Sequence, residues 1–231
     1  MFSEIKFTEK INSIIESKSL LDHPFYQKWN EGTLSKEMLC EYAKQYYHFV
    51  KHFPRFVSAV HSNCDDIGAR KILMENLADE EGFKTGTDNH PQLWMNFAAS
   101  LGLTAEEVKA TQPLKETEQL VQQMYELTSS SFYITGLSAL YAYEFQVPEI
   151  SKTKIKGLKD FYGINSEKAI EFFSVHEEAD VVHSRDEINI ILRETRTEES
   201  QNAVLNGAEK SATAMWVFLD GIYNNYCTAS A

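Results

Sequence analysis

Apolar residues recur along most of the chain at three- and four-residue spacing, and no stretch alternates in the manner of a strand. The pattern predicts an all-α protein. A first helix runs through Ile5, Ile11, Ile14 and Ile15 to near Ser19, and a short aromatic-rich piece, His23 to Trp29, follows before the break at Gly32-Thr33. Ser35 caps a helix to near Phe53, with Leu39, Tyr42, Ala43, Tyr46 and Val50 on one stripe. Pro54 opens a helix to near Asn63, and Asp65 or Asp66 caps the next, which carries Ile72, Leu73, Leu77 and Glu80. Gly82 to Asn89 is a loop. His90-Pro91 opens a helix through Leu93, Trp94 and Phe97 that stops at Gly102, and Thr104 to Glu107 has the spacing of a capping box. Helices over roughly 115–128 and 131–147 come next, and Pro148 starts or kinks another that Gly163 ends. Asn165 or Ser166 caps the helix after that, and a last helix covers roughly 198–225. No repeat, low-complexity linker or domain boundary interrupts this series. The expectation is one helical bundle over 1–225 and a disordered tail over 226–231.

One stretch carries chemistry: His176-Glu177-Glu178-Ala179-Asp180-Val181-Val182-His183. At helical pitch Asp180 falls about 40° from His176, and His183 about 20° on the other side. One face therefore presents imidazole, carboxylate and imidazole. The histidines lie about 10 Å apart along the axis, which is long for one ion and suits two ions with Asp180 between them. Asp180 and His183 also repeat the carboxylate-x-x-His spacing of bundle di-metal sites. Such a face also occurs on solvated helices, and Glu177, Glu178, Arg185, Asp186 and Glu187 read as the wet side of this one.

Two more helices place acids on apolar stripes. Glu144 follows Leu137, Leu140 and Tyr141 at helical spacing, and Glu80 stands likewise relative to Ile72, Leu73 and Leu77. An unpaired buried carboxylate costs several kcal/mol. Three helices that share the habit need a shared cation, and these faces carry no lysine or arginine. Divalent metal satisfies them. His90 adds a ligand from the loop mouth, which makes the inventory Glu80, His90, Glu144, His176, Asp180 and His183. Imidazole and carboxylate without thiolate suit iron or manganese, and zinc also fits. His48 and His52 are a rival pair four residues apart, but they fall opposite the apolar stripe and read as exposed. No partner is evident for His23 or His61.

Composition narrows the class. The 231 residues include 43% hydrophobic and 12% aromatic residues, 10 glycines and 5 prolines, enough for a sizeable core with few breaks. A net charge of −12 disfavours nucleic acid. The most apolar run, Phe132 to Tyr143, is too short to span a bilayer, and the first residues lack an apolar signal core. Cys40, Cys64 and Cys227 form no C-x-x-C pattern, which points to a reducing compartment. The expected location is the cytoplasm, with secretion into a host as the alternative.

Five motifs carry a resemblance: His23 to Trp29, His61 to Asp66, Asp79-Glu80-Glu81, Leu140 to Pro148, and His176 to Asp180. Together they resemble the CADD family, the chlamydial proteins associating with death domains, from about residue 10 to about 195. The resemblance implies a heme-oxygenase-like (TenA/PqqC-like) bundle without heme. It implies a dinuclear oxygenase, Fe/Fe or Fe/Mn, that uses the six ligands above, O₂ and an external reductant. Family members are self-sacrificing p-aminobenzoate synthases in folate supply, in which a tyrosine of the protein becomes the product ring and a lysine is implicated as amino donor. By position Tyr26 matches the sacrificed tyrosine and Lys154 the lysine, while Tyr42 and Tyr143 match tyrosines near the metals. The loop from Gly82 to Asn89 is longer here than in the family. The resemblance implies death-domain proteins as partners; a homodimer is a separate expectation. Two other readings compete: a metal-free TenA-like thiamin-pyrimidine hydrolase or PqqC-like cofactorless oxidase, and an interaction protein for death domains. A hydrolase needs a cysteine nucleophile beside an acid.

Overall fold

The structure, a computed structural model, describes residues 3–83 and 87–228. Among these residues there is no strand, and twelve α-helices follow one another. They are α1 (Glu4–Glu16), α2 (Pro24–Glu31), α3 (Lys36–Val50), α4 (Phe53–Asn63), α5 (Ile67–Glu80), α6 (His90–Ser100), α7 (Ala105–Ala110), α8 (Lys115–Thr128), α9 (Tyr133–Glu144), α10 (Val147–Asp160), α11 (Glu167–Glu194) and α12 (Glu198–Ile222). A 3₁₀ turn, Leu20–Asp22, precedes α2, and a π-helical turn, Tyr223–Cys227, extends α12.

Local chemistry sets most boundaries. Ser35, Asp66, Asn89 and Thr104 each accept a hydrogen bond from a backbone N–H in the first turn of the helix they cap. Thr104 and Glu107 form the capping box that their spacing predicts. His23 caps α2: its Nδ1 accepts from the Phe25 N–H at 3.1 Å, and its Nε2 lies 3.1 Å from Asp220 on α12. Gly32 ends α2 in the left-handed region at φ 67°, where a side chain is disfavoured.

Helix α11 runs through the bundle against α6, α9 and α10, and α12 packs along α8 and α9. The close approach of α9 and α12 depends on Gly207. A Cβ there would run into Ser138 Oγ and the Thr135 carbonyl oxygen. One turn on, Ser211 Oγ donates to the Ala139 carbonyl at 2.8 Å. A continuous aromatic core fills the centre, with Trp29, Tyr42, Phe49, Phe56, Trp94, Phe97, Phe173 and Phe218 fully buried.

Three expectations change. Tyr226 and Cys227, expected in a disordered tail, complete the π-helical turn instead, and Cys227 is buried. Residues 229–231, like residues 84–86 of the loop, lie outside the described residues. His48 and His52 are not surface side chains. His48 Nε2–H donates to the Thr111 carbonyl at 3.0 Å, and His52 Nδ1 lies 2.8 Å from the Tyr125 hydroxyl, because the α7–α8 segment covers that face of α3. Glu187, read as solvated, is 1% exposed.

Candidate functional site

Helix ends and one long helix build the site. Glu80 is the last residue of α5, His90 the first of α6 and Glu144 the last of α9, while His176, Asp180 and His183 stand on the buried stripe of α11. All six are buried. They meet as two triads, Glu80 with His90 and His176, and Glu144 with Asp180 and His183. In each triad one ligand atom per residue lies within 4.8 Å of the others. Asp180 also feels Glu80 and His90 electrostatically, so it faces both groups.

The hydrogen bonds prepare some of these atoms. His176 Nδ1 lies 2.6 Å from the Phe172 carbonyl, which only accepts, so Nδ1 carries the proton and Nε2 keeps its lone pair. Burial, reinforced by His90, holds His176 well below the usual histidine range, as a neutral ligand requires. His90 Nδ1 is 2.9 Å from Glu80 Oε1. The two nitrogens of His183 lie 3.5 Å from Asp180 and 3.5 Å from Asp79. Asn76 Nδ2 donates to Glu144 Oε1 at 3.0 Å. Burial lowers the affinity of His183 for a proton, but Asp180 and Glu144 override it and raise the group. Burial and Asp180 together raise Glu144 above the carboxylate range.

Glu144 Oε2, Asp180 Oδ2 and His183 Nδ1 are buried without a hydrogen-bond partner. Among the described residues no lysine or arginine forms an ion pair with the six side chains. Clustered buried carboxylates with open lone pairs, together with imidazoles of which His176 is held neutral, are a donor set for divalent cations. The residues therefore fit a pair of metal ions. A cleft of about 440 Å³ between the α5–α6 connection and α11 reaches His90 and His183, one ligand of each triad.

A second buried assembly adjoins the first. Lys154 of α10 is 3% exposed, and its Nζ donates to the Tyr42 hydroxyl at 2.6 Å. It lies 5.5 Å from the centre of the Tyr26 ring and 5.0 Å from that of Tyr46. Burial pulls the amine down to about 7, so a large neutral fraction is present at neutral pH. Tyr26 is fully enclosed and hydrogen-bonded to Tyr42, and burial raises its phenol above the usual range. Tyr42 stacks on Tyr46 with ring centres 5.4 Å apart, and the Tyr46 hydroxyl meets that of Tyr143 at 2.6 Å. Tyr143 precedes Glu144. A row of phenols thus extends from Tyr26 towards the metal triads, and its far members Tyr46 and Tyr143 feel the charge of Asp180 and Glu80.

Sequence reasoning named Tyr26, Tyr42, Tyr143 and Lys154 by resemblance and missed Tyr46. The available signal was its position four residues after Tyr42 on the same apolar stripe. The three cysteines are free and lie away from both assemblies. Cys40 and Cys64 offer their thiols to backbone carbonyls, and burial raises all three.

A helical bundle with two buried imidazole–carboxylate triads has the side chains of a metal-binding protein. Residues 40–216 match the family described as iron-containing redox enzymes, and the chain belongs to that family. It is 42% identical over 230 residues to a 4-aminobenzoate synthase of Nitrosomonas europaea, which covers 96% of this chain and 92% of that protein. It is 39% identical over 216 residues to a 4-aminobenzoate synthase of Chlamydia trachomatis, with 94% and 91% covered. Its fold is that of a TenA homolog from Pseudomonas syringae, at TM-score 0.80 and 19% identity over 95% of this chain and 91% of the other. A CADD-like protein of Nostoc punctiforme aligns at TM-score 0.78 and 20% identity, with 97% and 100% covered. The all-α heme-oxygenase-like fold and the family expected from the motifs both hold. No described helix is long and apolar enough to cross a membrane.

Proposed function

We propose that this chain is a 4-aminobenzoate synthase that consumes its own Tyr26, with Lys154 as amino donor and two metal ions, Fe/Fe or Fe/Mn, in the paired triads. The observation that carries the reading is the placement of a buried, readily neutral amine against Tyr26, at one end of a phenol row whose far members, Tyr46 and Tyr143, feel the charge of Asp180 and Glu80. Glu80, His90 and His176 would hold one ion, and Glu144, Asp180 and His183 the other. Bound there, the ions supply oxidation by O₂, with an external reductant providing the further electrons. The tyrosine ring already has the para arrangement of the product. Cleavage of the Cα–Cβ bond with oxidation of Cβ by O₂ leaves the carboxylate. For the amino group, the ring oxidised by two electrons at the expense of O₂ condenses with the Lys154 amine and loses the phenol oxygen as water. After tautomerisation a water molecule breaks the Cε–Nζ bond, which leaves nitrogen on the product and an aldehyde at Lys154 Cε.

The chain's own groups have separate tasks. The aromatic walls around Lys154 exclude water and keep the amine able to attack. Tyr42 holds Nζ in place through its hydroxyl. Tyr46 and Tyr143 link the ring to the triads by contact of their hydroxyls. The free thiols support a cytoplasmic location. The thiamin-pyrimidine hydrolase reading lacks a cysteine beside the buried acids. Death-domain binding rests on the resemblance, and a homodimer is a separate expectation. A pull-down with a metal-site variant tests the first, and sedimentation velocity the second.

The deciding experiment loads the protein with Fe(II) or Fe(II) plus Mn(II) and adds O₂ and reductant. Product and protein mass are then read by mass spectrometry. The expected result is at most one 4-aminobenzoate per chain, with the mass loss at Tyr26 and with ¹⁵N passing from lysine-labelled protein into product. Full product from Tyr26→Phe overturns the self-consumption, and unlabelled product overturns the role of Lys154.

A further inference from the structure

Glu187 follows His183 by four residues and His176 by eleven, about 20° from His176 around the helix axis. Helix α11 therefore buries four potential ligands on one stripe: His176, Asp180, His183 and Glu187. The Glu187 carboxyl faces Glu144, and its other charged neighbours, Asp180 and Asp186, are acidic as well. Apart from the Glu144 carboxyl that it faces, no side chain or backbone group among the described residues hydrogen-bonds either of its oxygens. A leucine or methionine would fill the same space without desolvating a carboxyl. The fold thus keeps a third acid beside Glu144 and Asp180 where packing alone would exclude it.

Charge gives a reason. Glu80, Glu144 and Asp180 contribute three negative charges, and the three histidines ligate as neutral groups. Two divalent ions bring four positive charges into a site with little water, where an uncompensated charge is costly. A fourth carboxylate makes the buried cluster neutral, and Glu187 is the acid positioned to supply it. On these grounds, and resting on the reading that the triads hold two ions, we propose that Glu187 is a seventh ligand that binds the ion shared by Glu144, Asp180 and His183.

The test is metal binding, read without turnover. Wild-type protein and Glu187→Gln are freed of metal with a chelator and titrated anaerobically with Mn(II). Unbound ion is followed by electron paramagnetic resonance, and Co(II) absorption reports ligand number. Glutamine keeps the size of the side chain and can still donate a hydrogen bond to Glu144, so neither a cavity nor a lost orienting contact accounts for a deficit. Wild type should bind two equivalents. Glu187→Gln should keep the first unchanged and bind the second at least about tenfold more weakly. Equal affinity for both ions in Glu187→Gln overturns the proposal. Fewer than two equivalents in wild type overturns the two-ion reading itself. If Glu187→Gln shows no cooperative melt, Glu187→Asp replaces it: the charge stays, the arm shortens, and unaltered binding of the second ion is again the negative result.

Discussion

The hydroxyls of Tyr46 and Tyr143 meet at 2.6 Å, between the Tyr26–Lys154 chamber and the triad acids Asp180 and Glu80, whose charge both phenols feel. Both phenols are fully buried, and burial is the main reason both lie well above the usual tyrosine range. They therefore stay protonated, and each is the other's side-chain hydrogen-bond partner. Replacing Tyr46 with phenylalanine leaves Tyr143 unmatched at a cost of about 1–2 kcal/mol, small enough for the fold to survive. The expected result for Tyr46→Phe is unchanged metal stoichiometry with product formation slowed at least about tenfold, a loss of about 1.4 kcal/mol in barrier terms. Rapid-quench mass spectrometry measures it, and a wild-type rate in the variant removes Tyr46 from the route.

Lys154 gives stability a pH dependence of definite sign. Its usual value of 10.5 falls to about 7 in the folded protein because burial disfavours the ammonium. Between those values the unfolded chain binds a proton that the folded chain lacks, so this residue makes stability rise with pH across the window. Below about 7 the deficit is constant and largest. Lys154→Met, which cannot titrate, should be more stable than wild type at pH 7 by on the order of 3 kcal/mol, and the gap should narrow towards pH 10. Urea melts of the metal-free proteins at pH 7, 8 and 9 check it. A gap that does not change with pH contradicts the depressed amine.

Chelation should loosen the bundle. Each ion present at a hundredfold excess over its dissociation constant stabilises the folded state by about 2.7 kcal/mol. Removing both should lower the melting temperature by several degrees, and readdition should restore it. His176→Ala should lose roughly half of this effect, because it disables one triad only. Calorimetry with and without chelator measures the difference, and identical melts would mean that the triads hold no ion in solution.

Gly207 is a packing position. A methyl group there must push α12 away from Ser138 and Thr135 on α9, the helix that carries Tyr143 and Glu144. Gly207→Ala should therefore destabilise by about 1–3 kcal/mol even though alanine favours helix more than glycine does. A stabilised variant would show that the two helices separate at little cost.

The sequence alone determined the helices, because their caps, breakers and apolar spacing act within a few residues of one another. It also determined that Glu80, Glu144, His176, Asp180 and His183 point inward, since each sits on the stripe that its own helix must bury. Residue types did the rest of that work: acids and imidazoles on apolar stripes have few explanations other than metal. Only the tertiary structure decided how the six candidates divide into two triads, because a helical wheel gives an angle on one helix and says nothing about the neighbour across from it. The same gap accounts for His48 and His52, which the α7–α8 segment covers. It accounts for Glu187 too, whose stripe was legible but whose environment of other acids was not. Lys154 shows the limit most clearly: as a letter between Thr153 and Ile155 it is an ordinary cation, and its amine is drawn down to about 7 only when rings from α2, α3, α6 and α11 close around it.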